Sequence, residues 1–105
     1  MAWLVLVFAG LLEVVWAFSM KLSEGFSRLG PSLVTLVAMA ASFALLAWSM
    51  RSLPLGTAYT VWTGIGALGA FIVGIVFLGE SVTALRLVAA ALILSGLVLM
   101  KLSSA

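Results

Sequence analysis

This chain runs apolar for about twenty residues at a time, four times over. An α-helix rises about 1.5 Å per residue and the hydrocarbon core of a bilayer is roughly 30 Å thick, so each run is long enough to cross a membrane. The first extends from Ala2 to Met20 with one charge inside it. The polar segment Lys21-Leu-Ser-Glu-Gly-Phe-Ser-Arg28 follows, and Gly30-Pro31 marks the next boundary. Pro31 suits a first helical turn, where its missing N–H would have had no intrahelical partner anyway. The second run is Ser32 to Met50, with Ser42 near its middle. The short turn Arg51-Ser-Leu-Pro-Leu-Gly56 implies antiparallel neighbours. Thr57 to Leu78 is the third run, closed by Gly79-Glu80-Ser81, and Val82 to Leu102 is the fourth. Its charge-free part, Leu87 to Met100, is short for a bilayer, so Arg86 and Lys101 are expected to reach back to the two interfaces.

Composition points the same way. Of 105 residues, 66% are hydrophobic and 8% charged, whereas soluble domains are nearer half apolar and a quarter charged. So short a chain has too little interior to hide that much apolar surface from water, and lipid must cover it. The predicted fold is therefore an all-α integral membrane bundle of four transmembrane helices over residues 1–105, with no room for a soluble domain. The N-terminal run lacks a basic leader and contains Glu13, so it is read as a retained helix instead of a signal peptide. Cys and His are absent, which removes disulfides, thiolate chemistry and ordinary zinc sites; no cofactor is expected. The five basic residues are scattered and the net charge is only +2, so nothing suggests a nucleic-acid partner.

Orientation is nearly undecided. Lys21, Arg28 and Arg86 fall on one side of the membrane, and Arg51 and Lys101 on the other. Three against two is a weak bias under the positive-inside rule, so insertion in both directions is expected.

The side-chain carboxylates are Glu13, Glu24 and Glu80, and Glu13 lies deep. It sits about 16 Å along the first helix from Ala2, close to the membrane midplane. Ionisable residues at that depth are costly and commonly belong to ion or proton pathways. A carboxylate buried there favours a proton when empty and releases it when a cation arrives, so the two cargoes compete. Competition for one site is the logic of antiport. As mere interhelical glue Glu13 would contribute only about 0.6 kcal/mol, which Gln or Ser could match without a charge.

Its neighbours fit a binding site. Ala9, Gly10, Trp16 and Ala17 share the Glu13 stripe at helical spacing, and on the third helix Tyr59, Trp62, Gly66 and Gly69 share a face. Tyr59 can donate a hydrogen bond and indole faces attract cations. The plainer readings are packing for Trp16 and Tyr59, and interfacial anchoring for Trp3 and Trp48. Gly64-Ile-Gly66-Ala-Leu-Gly69 matches G-x-G-x-x-G, but no strand precedes it inside an apolar span, so a dinucleotide site is excluded. Gly66, Ala70 and Gly74 are instead a small-residue series for close helix contact, and Gly64 and Gly66 are candidate kink points.

Four helices are few to enclose an alternating pathway, and no internal repeat is visible. Two oppositely inserted copies would supply the symmetry and bring two Glu13 side chains to one site. The predicted assembly is thus an antiparallel, dual-topology homodimer, with Ala89 and Gly96 of the fourth helix as dimer contacts.

Three motifs carry a family resemblance: Glu13-Val-Val-Trp16; Lys21-x-Ser-x-Gly-Phe-Ser-Arg28; and Leu53-Pro-x-Gly-Thr-Ala-Tyr59-x-Val-Trp62-x-Gly-Ile-Gly66. Together they resemble the small multidrug resistance transporters over essentially the whole chain, and within them the guanidinium-exporter branch. The resemblance implies an antiparallel homodimer in the bacterial inner membrane that exchanges protons for guanidinium. It implies that Glu13 binds both cargoes, that Trp16, Ser42 and Trp62 line the site and hydrogen-bond the carboxylates, and that Tyr59 joins the lining or the switch. Thr60 stands where relatives commonly have Ala, which bears on packing or substrate range. Two other functions remain open: export of lipophilic quaternary ammonium cations through the same carboxylate, and a non-transporting membrane subunit that docks a partner. An enzyme is the poorest fit, because no nucleophile–base pair or metal set is present.

Overall fold

The computed structural model describes residues 1–103 and is all helical. Four helices follow one another: α1 (Ala2–Leu22), α2 (Leu29–Ser49), α3 (Leu55–Leu78) and α4 (Ala84–Ser103). All four are long and apolar enough to cross a membrane. Helices about 30 to 36 Å long joined by turns of only a few residues must alternate in direction.

The helix ends differ slightly from the sequence reading, for local reasons. α2 begins at Leu29, because Gly30 and Pro31 both fit inside its first turn. α3 begins at Leu55 directly behind Pro54. α4 begins at Ala84, two residues later than expected, where the Thr83 hydroxyl accepts the Arg86 N–H at 3.1 Å as a helix cap. At the end of α3, Gly79 turns left-handed at φ 67°, and the Glu80 N–H closes on the Gly74 carbonyl at 3.0 Å.

The α1–α2 turn is organised by Ser23, which is fully buried. Its hydroxyl donates to the Met20 carbonyl at 2.6 Å and accepts the Phe26 N–H at 3.0 Å. These bonds hold Glu24, Gly25 and Phe26 at positive φ, a conformation costly for the two side-chain-bearing residues. The Ser in the Lys21–Arg28 motif is therefore structural.

α1 sits between α2 and α3, and the backbone of α4 approaches only α3. The core is Leu6, Ala9, Leu46, Ala58, Val61 and Trp62. None of the described α4 residues is buried. The chain is a slab, 43 × 35 × 16 Å. The helices follow one another across it in the order α2, α1, α3, α4, and α4 does not close back on α2. A single chain thus cannot surround a pathway, and the apolar side chains along its faces need lipid or protein to cover them.

Candidate functional site

Glu13 is half-buried where α1 crosses α3. Its carboxylate lies against Gly66, in the space a Cβ would fill: a methyl there would collide with Cγ, Cδ and Oε1. The same crossing seats Ile65 against Gly10 and Val14 against Gly69. Small residues on both helices let the backbones come close enough for Glu13 to rest in α3 instead of beside it. Oε1 is buried and has no hydrogen-bond partner among the described residues; neither has Trp16 Nε1, one turn further along α1. Buried polar atoms are nearly always paired, and each orphan calls for an explanation.

Next to the carboxylate is a completed network. The Trp62 indole N–H donates to the Ser42 hydroxyl at 3.0 Å, and that hydroxyl donates to the Ala9 carbonyl at 2.7 Å. Ser42 is fully buried and Trp62 nearly so. Within one chain, Ser42 and Trp62 thus spend their donors on each other and on α1, one turn before Glu13, and not on the carboxylate. This pins α2 and α3 to α1 at the level of the site. Ser42→Ala leaves the Trp62 N–H unpaired, with an expected cost of about 1–3 kcal/mol. A lowered thermal midpoint in detergent measures it, with no comparable drop expected for Ser95→Ala on exposed α4, where the hydroxyl bonds only its own helix.

Four aromatic rings line the same region in sequence across three helices. Trp16 meets Phe43 edge-on at 6.3 Å, Phe43 meets Trp62 at 5.7 Å, and Trp62 meets Tyr59 at 5.6 Å. Phe43 was not singled out from the sequence. It sits beside Ser42 in an apolar run, and nothing but that adjacency distinguishes it from a lipid-facing Phe. Tyr59 remains half-exposed and borders an open groove of about 520 Å³ between α3 and α4, together with Thr60 and Gly96.

The remaining glycines and small residues take clear places. α3 is unbroken through Gly64 and Gly66, and each marks a close approach, Gly64 to Leu97 of α4 and Gly66 to Glu13. Ala89 and Gly96 lie on one flank of α4 beside shallow grooves against α3, and a Cβ on Gly96 would meet nothing.

An unpartnered acceptor, walled by aromatic faces and set at mid-membrane depth, is equipped to hold a proton or a flat organic cation. Fold and site together define a membrane transporter, and the chain belongs to the small multidrug resistance family: the family model described as Small Multidrug Resistance protein matches residues 1–93. Among its relatives is a protein of Yersinia pseudotuberculosis named guanidinium exporter, 62% identical over 104 residues, 99% of this chain and 100% of that one. The guanidinium exporter of Escherichia coli K12 is also 62% identical, and that of Citrobacter freundii 57%, each over 99% of both chains. Family membership and four helices of spanning length make this a multi-pass protein of the bacterial inner membrane.

Proposed function

We propose that this protein exports guanidinium, and substituted guanidiniums, in exchange for protons, by alternating access at a central pair of Glu13 carboxylates in an antiparallel homodimer. The observation that carries this reading is the orphaned Glu13 Oε1 packed on Gly66. Near-identical length and 62% identity to named guanidinium exporters support the choice of cargo.

The chemistry follows from the cargo's shape. Guanidinium is planar and presents a fork of N–H donors that a carboxylate can accept two at a time. Indole and phenyl faces at Trp16, Phe43 and Trp62 can cover its flat sides. When guanidinium leaves, a proton takes its place, so the site never returns with a bare buried charge. One cargo each way is the result. The slab form of the single chain supports the second copy, and the balanced basic residues support its opposite insertion. In such a pair the Trp16 N–H can pair with a carboxylate. The open small-residue flank of α4, with Ala89 and Gly96, is the surface for the partner. Flexing of α3 about Gly64 and Gly66 would switch access, with Tyr59 moving on the same helix.

A quaternary ammonium has no N–H to offer and would leave the buried carboxylate oxygens without the donors that guanidinium supplies, which costs about 1–3 kcal/mol per buried group. Electrogenic transport by the reconstituted protein tests the assignment. Currents with guanidinium, and none with a tetraalkylammonium at the same concentration, are expected. Current with the tetraalkylammonium alone would instead make this a quaternary-ammonium exporter, and current with neither, from well-folded protein, would favour a non-transporting docking subunit.

A further inference from the structure

One end of the bundle has cations and no side-chain carboxylate to meet them. Glu24 lies in the α1–α2 turn and Glu80 follows α3, both at the other end, where Arg28 reaches Glu24 at 3.8 Å. Arg51, between α2 and α3, and Lys101, in the last turn of α4, are left without an acidic side chain at their end. Lys101 is exposed and reaches across to α1. Its ammonium stands 4.4 Å from the centre of the Trp3 ring on α1, bridging two helices whose backbones do not approach each other.

Beneath that bridge is a groove of about 480 Å³, floored by α3. Trp3 and Val7 form one wall, Ile65 the floor, and Leu97, Val98 and Lys101 the other wall. Its lining is apolar apart from the Lys101 head. Val7 and Leu97 lie one helical turn below Trp3 and Lys101, about 6 Å deeper into the membrane. The groove therefore has a cation and an indole at headgroup level and hydrocarbon below. It also lies on the other side of α4 from Ala89 and Gly96, since Val98 is about 200° around the helix from Gly96. A partner copy seated on the small-residue flank leaves this groove facing the bilayer. The comparable groove beside Arg86 is lined by Ala89 and belongs to the flank given to the partner.

We propose that the α1–α4 groove is a binding site for an anionic phospholipid, with the phosphate at Lys101 and Trp3 and one acyl chain along Val7, Ile65 and Leu97. Charge complementarity selects the headgroup: the Lys101 ammonium, held over Trp3 between two helices and in no ion pair with the described residues, recruits anionic lipid. The bound lipid fills the space between α1 and α4, which no protein backbone fills, and so ties the loosely held fourth helix to the body that bears Glu13. The site does not depend on the identity of the transported cation.

Trp3 is itself the reporter. The protein is placed in phosphatidylcholine vesicles containing a small proportion of either phosphatidylglycerol or phosphatidylcholine brominated high on its acyl chains, and Trp3 emission is isolated by difference against Trp3→Phe. Brominated phosphatidylglycerol should quench Trp3 about fivefold more effectively than the brominated phosphatidylcholine, the factor one Lys contributes at an anionic surface. Lys101→Gln should remove that preference and Lys101→Arg should keep it. Equal quenching by the two lipids in the native protein would overturn the proposal, as would a preference that survives in Lys101→Gln. Trp3 emission untouched by either lipid would also overturn it, showing the groove covered by a second copy.

Discussion

Glu13→Gln is expected to abolish proton-coupled guanidinium transport while leaving the helices inserted and folded. Gln is nearly the same size, so its packing against Gly66 survives, as do the contacts of Ile65 with Gly10 and Val14 with Gly69 that hold the α1–α3 crossing. The charge does not. Losing a buried charge-assisted pair costs about 2–5 kcal/mol, equivalent to binding weaker by roughly thirtyfold to several thousandfold. Coupling should be lost altogether, because an amide does not titrate and Glu24 and Glu80 lie at the membrane edge. Guanidinium flux in vesicles with and without a pH gradient measures both losses. Full proton-coupled flux in this variant would move the function away from Glu13.

Gly66→Ala has the second largest expected effect, and it separates the site from the scaffold. A methyl at residue 66 takes the volume that the Glu13 carboxyl occupies, so the carboxylate must move or α1 must shift. Either change spoils a paired, charge-assisted contact worth about 1.5–3 kcal/mol, so guanidinium affinity should fall roughly ten- to a hundredfold. Gly10→Ala is the control. Its methyl meets Ile65 in the same helix crossing, and the three atoms nearest to it all belong to that side chain. It should lower thermal stability through overpacking, by about 1–3 kcal/mol, while the affinity of the protein that remains folded changes little. Equal losses of affinity in the two variants would mean that Gly66 matters for helix spacing alone.

The four spans were legible because lipid imposes one demand, an apolar run of fixed length, that no other solvent imposes so bluntly. Glu13 was legible for the same reason, as a charge where charge is expensive. Gly66 was visible as a small residue in a series with Ala70 and Gly74, but its use as the cradle of Glu13 depends on the register between α1 and α3. That register is set by Gly10, Ile65, Val14 and Gly69 together, which no single motif encodes. Ser42 stood out as a hydroxyl at mid-span, yet its acceptor is the Ala9 carbonyl, and a carbonyl has no sequence signature. Phe43 was hidden among apolar neighbours, although its ring joins Trp16 to Trp62. Trp3 reads from sequence as an interfacial anchor, and only the fold brings Lys101 over it from the far end of the chain.

The proposed two-copy assembly would also change what the exposed surface means. Tyr59 is half-exposed and no described residue of α4 is buried in a single chain, while Trp16 Nε1 and Glu13 Oε1 are buried without partners. One partner copy would answer both features, covering the apolar flank of α4 and bringing new hydrogen-bonding groups to the site. Opposite insertion needs no special signal, since the basic residues divide almost evenly between the two ends.

If one carboxylate holds either a proton or the cation, adding guanidinium to purified protein in weakly buffered detergent must release protons. The expected result is release that saturates with guanidinium, affinity that weakens as pH falls, and neither effect in Glu13→Gln. Guanidinium binding to the native protein with no proton released across the pH range of its activity would contradict it.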